Sequence, residues 1–212
     1  MLSGGQLQSV LQSLPRITVN GLWTRAVGYH LLQGPPPGAP RGSPPQPLWP
    51  GGASLLGARF TPKGAFDSIY LASDAVTALL EATAVLQHAN APAFTLRTYP
   101  WTVFAVDSVV TDVLDLCDSN VWTSLGTSLQ ELTGDWAYGQ DQYLLGHGPL
   151  PPTQVLGQAA YNCGVIAGMK YPSAKNLGKG EGFVVFSDRL VAGGPSHLEV
   201  YDPHRLLKDR RP

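Results

Sequence analysis

The stretch Gly57–His88, GARFTPKGAFDSIYLASDAVTALLEATAVLQH, decides how the chain is read. Gly57-Ala58-Arg59-Phe60 is a short apolar segment carrying one cation. Thr61-Pro62-Lys63-Gly64 has the proline and glycine of a turn. Ile69-Tyr70-Leu71-Ala72 then reads as a strand. Ser73 or Asp74 can cap the helix that follows, because each offers a side-chain oxygen to the unpaired N–H groups of a first turn. From Ala75 to Leu86 that helix is almost wholly apolar, and Glu81 is its only ionisable residue before His88. A carboxylate there is costly to desolvate unless a partner meets it or it lines a cleft.

Around this stretch the chain has 212 residues, which suits one domain with a sizeable core. Charged residues make up 14% and the formal net charge is -1, so no global field would attract nucleic acid or anionic lipid. Cys117 and Cys163 lack metal-ligand spacing and read as reduced, buried thiols. Leu7, Val10, Leu11 and Leu14 recur at helical spacing, so the N-terminal segment reads as a short amphipathic helix rather than a signal peptide. No apolar run approaches a membrane-spanning length. The expectation is a cytoplasmic protein that binds neither membrane nor nucleic acid directly.

Upstream, residues 21–27 read as a strand containing Arg25. Taken alone, Arg25 is an edge-strand arginine paired with a surface acid. Residues 34–52, GPPPGAPRGSPPQPLWPGG, cannot form a helix or an inner strand, because proline lacks the N–H and fixes φ. They read as a loop that contributes little to the core and does not divide the chain, although a proline-rich ligand for another domain is an alternative. Downstream, residues 93–97 and 103–106 read as strands, with 113–116 as a further short one. Asp112, Asp115 and Asp118 do not match a calcium loop and read as solvated acids. Residues 127–136 and 153–167 read as helices, the second capped by Thr153. Residues 197–202 alternate like a half-buried strand, and 208–211 form a basic tail expected to be solvated. The pattern is α+β rather than a regular βαβ alternation. No Rossmann fingerprint, P-loop or nucleophile elbow is present.

The order G-A-R-F-x-P-x-G, then Tyr70, then an apolar helix with Glu81 resembles the RES domain, a family named for its Arg, Glu and Ser. Arg59 to Tyr70 and Tyr70 to Glu81 are each 11 residues. The third letter stands in Lys170-Tyr171-Pro172-Ser173-Ala174-Lys175, followed by a Gly-rich segment and the apolar run Phe183–Phe186. The resemblance spans roughly Leu22 to Pro203. It implies an ADP-ribosyltransferase-like fold, a split, curved sheet with a central NAD-binding cleft. It also implies NAD+ as substrate rather than cofactor, and a small Xre-like antitoxin as partner, through which the chain could oligomerise. By this resemblance the chain is a bacterial toxin of a toxin–antitoxin pair.

The residue types suit that chemistry. Cleaving the nicotinamide–ribose bond expels a leaving group already cationic at nitrogen, through an oxocarbenium-like transition state. Glu81 is the candidate to face that charge. Arg59 and Arg25 are candidates to hold the diphosphate, since a guanidinium matches phosphate oxygens as a fork. Tyr70 would stack on nicotinamide or bond the ribose. Ser173 would anchor the nicotinamide ribose or position a neighbour. Where many family members have Trp-Asn after the arginine, Phe60-Thr61 stand here, so the Asn amide is missing at that corner. The acceptor stays open between water and phosphate. The alternatives are ADP-ribosyl transfer to a macromolecule and a non-catalytic nucleotide-binding module.

Overall fold

The computed structural model describes residues 1–84, 100–204 and 207–212. The strand expected at 93–97 and the end of the helix expected to reach Leu86 lie outside the described residues. The helices are α1 Gly4–Ser13, α2 Gly51–Leu56, α3 Ala75–Ala84, α4 Ser119–Leu125, α5 Leu129–Thr133, α6 Trp136–Leu144 and α7 Pro152–Asn162. The strands are β1 Ile17–Gly28, β2 Ser68–Ala72, β3 Trp101–Asp115, β4 Gly168–Pro172, β5 Glu181–Phe186, β6 His197–Tyr201 and β7 Arg210–Arg211.

The sheet runs β1-β2-β5-β4-β3-β6-β7, and β1 also pairs with β3. The first five strands therefore close on themselves. The ring is tight along β1 and β3, which pair antiparallel from Ile17↔Val113 to Gly28↔Trp101. It is weakest between β1 and β2, where Thr24↔Ala72 is the one paired position. Beyond Thr24 the two strands part, and both present unpaired edges to a gap. That gap is the cleft described below. β3 takes β4 in parallel at 113–115 and β6 antiparallel at 105–109.

Strand alternation sorts the core into two layers. Val19, Trp23, Val27, Ile69, Phe104, Val106, Phe183 and Val185 form one cluster, which the ring encloses. Val184 and Phe186, the alternate residues of β5, join Leu7, Leu11, Leu125, Leu132 and Leu156 in the second, under α1, α4, α5 and α7. A strand buried on both faces reads as a continuous apolar run, which is what Phe183–Phe186 is. Burying one such side chain contributes about 1.5–3 kcal/mol.

Several expectations are corrected. The two strands expected at 103–106 and 113–116 are one 15-residue strand, β3: Asp107 points outward from a regular ladder, and the irregularity at Asp112, whose φ is 58°, shifts the register without ending the strand, since pairing resumes at Ile17↔Val113. The helix expected over 127–136 is α5 followed by a separate α6, which starts anew where Asp135 accepts from the Tyr138 N–H. Thr153 does not cap α7; Pro152 opens that helix at its first turn, and the Thr153 hydroxyl is buried without a partner. Asp118 is no free acid, since it caps α4, and Asp115 pairs with Lys170 at 3.1 Å. The basic tail is solvated only in part: Lys208 and Arg210 are exposed, but residues 210–211 pair with β6 as β7 and Arg211 is half-buried.

The proline-rich loop is also packed where packing was not expected. Leu48 is fully buried in the ring-enclosed cluster. Its N–H donates to Asp209 Oδ2 at 2.8 Å, and Arg211 Nη2 reaches Gln46 Oε1 at 3.0 Å. The C-terminal strand thus pins residues 46–48, while residues 40–42 remain exposed.

Candidate active site

The split between β1 and β2 opens into a cleft of about 850 Å³. Arg25, Arg59, Tyr70 and Glu81 all line it. Four of the five residues picked from sequence are therefore brought together, though they come from β1, the turn after α2, β2 and α3. Ser173 stands immediately behind them.

Glu81 is held by the turn after β4. Its Oε1 accepts from the Ser173 hydroxyl at 2.6 Å, the Ala174 N–H at 3.0 Å and the Lys175 N–H at 3.3 Å. Its Oε2 faces Arg59 Nη2 at 3.9 Å. One oxygen is thus fixed by protein donors, and Oε2 is the oxygen left to meet a ligand. The helix carrying it is capped by Asp74, which accepts from the Thr77 N–H at 2.9 Å and the Thr77 hydroxyl at 2.6 Å. Those bonds lower the Asp74 carboxyl below its usual value. Ser73, the other candidate cap, instead donates to Asp74 and accepts from the Glu181 N–H.

Ser173 corrects the expectation of direct ligand contact. It is fully buried, and its hydroxyl is occupied by Glu81 and by the N–H groups of Lys175 and Asn176. Its place matches the other half of that expectation, positioning a neighbour.

Arg59 is 5% exposed. Its Nη1 donates to the carbonyls of Leu132 and Gly134, each at 3.1 Å. The guanidinium therefore ties the α5–α6 connection to the Glu81 face of the cleft, and its fork is largely engaged by protein oxygens. The loop bearing it is set by glutamines: Gln154 Nε2 donates to Ala58 O at 2.9 Å and to Gln140 Oε1 at 2.8 Å, and Gln140 Nε2 to Leu56 O at 3.0 Å. Gly157 lets α7 approach; a Cβ there would lie 1.8 Å from Phe60 O.

Tyr70 accepts from the Phe60 N–H at 3.0 Å and shares a hydrogen bond with Thr61 at 3.0 Å. Burial pushes its phenol up to about 12, so it is neutral at physiological pH. Thr61 is fully buried between Tyr70 and Ser68. The corner expected to lack an Asn amide is thus a hydroxyl chain that fixes Tyr70.

Among the described residues Arg25 forms no salt bridge with a surface acid. Its Nη1 donates to Tyr70 O at 3.3 Å and its Nη2 to Trp49 O at 2.9 Å. It fills the unpaired edge of β2 from across the split. Burial lowers its pKa to about 10, partly offset by Asp209, so it stays cationic near neutrality.

Sequence reasoning missed Tyr171 and Lys175. Tyr171 is buried beside Glu81, lines the cleft, and packs edge-on against Phe60 at 4.8 Å. Burial and the neighbouring Glu81 raise its phenol well above its ordinary value, so it remains a hydrogen-bond donor. Lys175 is exposed at the cleft wall. Both stand in the Tyr171-Pro172-Ser173-Ala174-Lys175 motif, from which only the serine was taken. Among the described residues no cluster of His, Cys, Asp and Glu could hold a metal ion. Nor is any described helix long and apolar enough to cross a membrane.

A ring of strands split at one seam, with a caged carboxylate and two guanidinia at the gap, defines an α+β protein with a cleft inside its sheet. The chain belongs to the RES domain family, whose model matches residues 36–203. In fold it is similar to the MbcT toxin in the crystal structure of the M. tuberculosis MbcT–MbcA toxin–antitoxin complex. That likeness has a TM-score of 0.65 at 22% identity and covers 94% of this chain and 91% of that one. No curated protein sequence matches the chain.

Proposed function

We propose that this chain is the toxin of a toxin–antitoxin pair and that it cleaves the nicotinamide–ribose bond of NAD+ in the cytoplasm. The observation that carries the reading is Glu81: a carboxylate with one oxygen fixed by three donors and the other turned toward a cleft beside Arg59. A sheet ring that opens at one seam into a cleft also supports this reading.

In this reading the C1′–N bond breaks and its electron pair leaves with nicotinamide, which becomes neutral. Positive charge develops on the ribose, and Glu81 Oε2 faces it. Fixing the other oxygen in advance means that the charge need not be reorganised during reaction. A water oxygen then attacks C1′ and releases one proton, giving ADP-ribose; a phosphate oxygen gives ADP-ribose-1″-phosphate. Arg25 supplies a cation to the cleft lining, and Tyr70 and Tyr171 supply aromatic rings to its wall. The partner in this reading is an antitoxin of Xre type that occludes the cleft; that the structural neighbour was solved in a toxin–antitoxin complex supports an antitoxin partner.

The test is incubation of the purified protein with NAD+, with and without phosphate, and identification of products by mass. Free nicotinamide with either product supports the reading and names the acceptor. An ADP-ribosylated macromolecule would make the protein a transferase, and unchanged NAD+ would leave a nucleotide-binding module.

A further inference from the structure

We infer that the end of the cleft built by residues 34–52 is a nucleobase subsite, with the Trp49 indole as its stacking platform and the adenine half of a dinucleotide as its occupant. The inference rests on the proposed NAD+ reading and extends it to the part of the substrate that takes no part in bond cleavage.

The lining of the cleft combines two chemically distinct groups of residues. One is Glu81, Arg59 and Tyr171. In the other the proline-rich segment contributes Pro37, Trp49 and Pro50 to the wall, together with Leu31 and Trp101. Arg25 joins the two, because one arm of its guanidinium is on Tyr70 O and the other on Trp49 O. A carboxylate, a cation bonded beside the tryptophan, and the tryptophan itself in one cleft suit a nicotinamide ribose, a diphosphate and a second base. A total of about 850 Å³ lies toward the upper end of small-molecule sites, which run from roughly 300 to 1,000 Å³.

Trp49 is set in place before any ligand arrives. Leu48 beside it is fully buried, and the Leu48 N–H is held by Asp209 at 2.8 Å. The Trp49 carbonyl is held by Arg25 at 2.9 Å. The next turn makes room for the ring: a Cβ on Gly51 would lie 2.5 Å from the indole Cζ2, so glycine is required for the indole to rest on the start of α2. Trp49 is half-buried and lines the cleft. A rigid indole in a wall of prolines and aliphatic side chains recognises a planar base by stacking, without a charged partner. Preorganisation of this kind lowers the ordering cost of binding.

ADP tests the subsite without chemistry, because it has the base and the diphosphate but no nicotinamide bond. Calorimetry with ADP should show binding to the parent protein, about 10- to 100-fold weaker binding to Trp49→Ala, and near-parental binding to Trp49→Phe, which keeps a ring. In turnover, Trp49→Ala should raise KM for NAD+ with kcat little changed, and should leave nicotinamide mononucleotide, which lacks the adenylate, turned over as by the parent. If Trp49→Ala does not fold, Trp49→Leu against Trp49→Phe makes the same comparison of bulk with and without a stacking face. Absence of ADP binding by the parent, or equal ADP affinity in Trp49→Leu and Trp49→Phe, overturns the inference. ADP binding that depends on Trp49 in a protein that leaves NAD+ intact would keep the subsite and remove the cleavage reading.

Discussion

Replacing Glu81 by glutamine separates a catalytic carboxylate from a structural one, but the geometry changes which measurement decides. The amide oxygen can still accept from Ser173, Ala174 and Lys175. Each bond loses its charge assistance, however, and charge-assisted bonds are roughly twice as strong as neutral ones of about 0.5–1.5 kcal/mol. The amide –NH2 would meanwhile face Arg59 Nη2, now 3.9 Å from Oε2, as a donor opposite a cation. With the side chain 21% exposed, solvent screens part of this, and the expected loss of stability is about 1–3 kcal/mol. A destabilised Glu81→Gln is therefore expected on either reading, and unfolding alone cannot discriminate. Turnover per folded molecule can. Removing the charge that faces the developing oxocarbenium ion should lower kcat about 10²–10³-fold. Urea unfolding gives the folded fraction, and nicotinamide release gives the rate. Ser173→Ala is the companion: it keeps the charge but removes the 2.6 Å bond, so it should lose stability and only part of the rate. A folded Glu81→Gln protein that releases nicotinamide at the parental rate would refute the reasoning and leave Glu81 as the residue that organises the turn at 173–176.

Three further outcomes are expected. Arg59→Lys keeps the charge but not the fork, and should slow NAD+ consumption about tenfold or more, since a hydrogen bond to a charged group carries roughly 1.5–3 kcal/mol; equal activity would confine Arg59 to structure. Asp74→Ala should cost about 1 kcal/mol in urea unfolding at pH 7 through loss of the α3 cap. Because folding lowers the Asp74 carboxyl, its contribution is complete above the unfolded value of about 3.9 and is lost as pH falls through the folded one, so the gap between parent and variant should close below about pH 4; a gap unchanged at pH 2 would contradict the cap. In the proline-rich segment, shortening residues 38–42 should change stability by less than about 1 kcal/mol, whereas Leu48→Ala should cost about 2–5 kcal/mol; thermal unfolding of the two separates the exposed tip from the anchored base.

Much of the site was legible because its parts are local. Arg59, Tyr70 and Glu81 fall within one stretch at even spacing, and a lone carboxylate in an apolar helix is a signal in itself. What was not legible depends on contacts between distant parts of the chain. Nothing near Leu48 announces Asp209, yet their hydrogen bond spans 161 positions and makes a proline-rich loop part of the core. The short strand at 210–211 exists because β6 offers it an edge, and two arginines carry no strand signal by themselves. Thr153 looked like a cap by residue type, but the proline after Pro151 already starts α7. Ser173 was found by motif, but the choice between its two expected roles was not legible, because burial is not written in a five-residue turn.

Arg25 shows why such a site sits at a seam. A ring closed everywhere would satisfy its own backbone and leave no opening in the sheet. Here β1 and β2 meet at one position, so the carbonyl of Tyr70 needs a donor from elsewhere. A guanidinium supplies it at 3.3 Å and spans the gap to Trp49 O with its other arm. Its Nε remains buried without a partner, although the cation persists at neutral pH. The residue that completes the sheet is thus also the positive charge exposed to whatever enters the split. Arg25→Gln would keep a donor for one carbonyl and lose the charge and the second arm. Its effects on folding and on NAD+ consumption should therefore appear together, in contrast to Trp49→Phe, which alters neither the seam nor the charge.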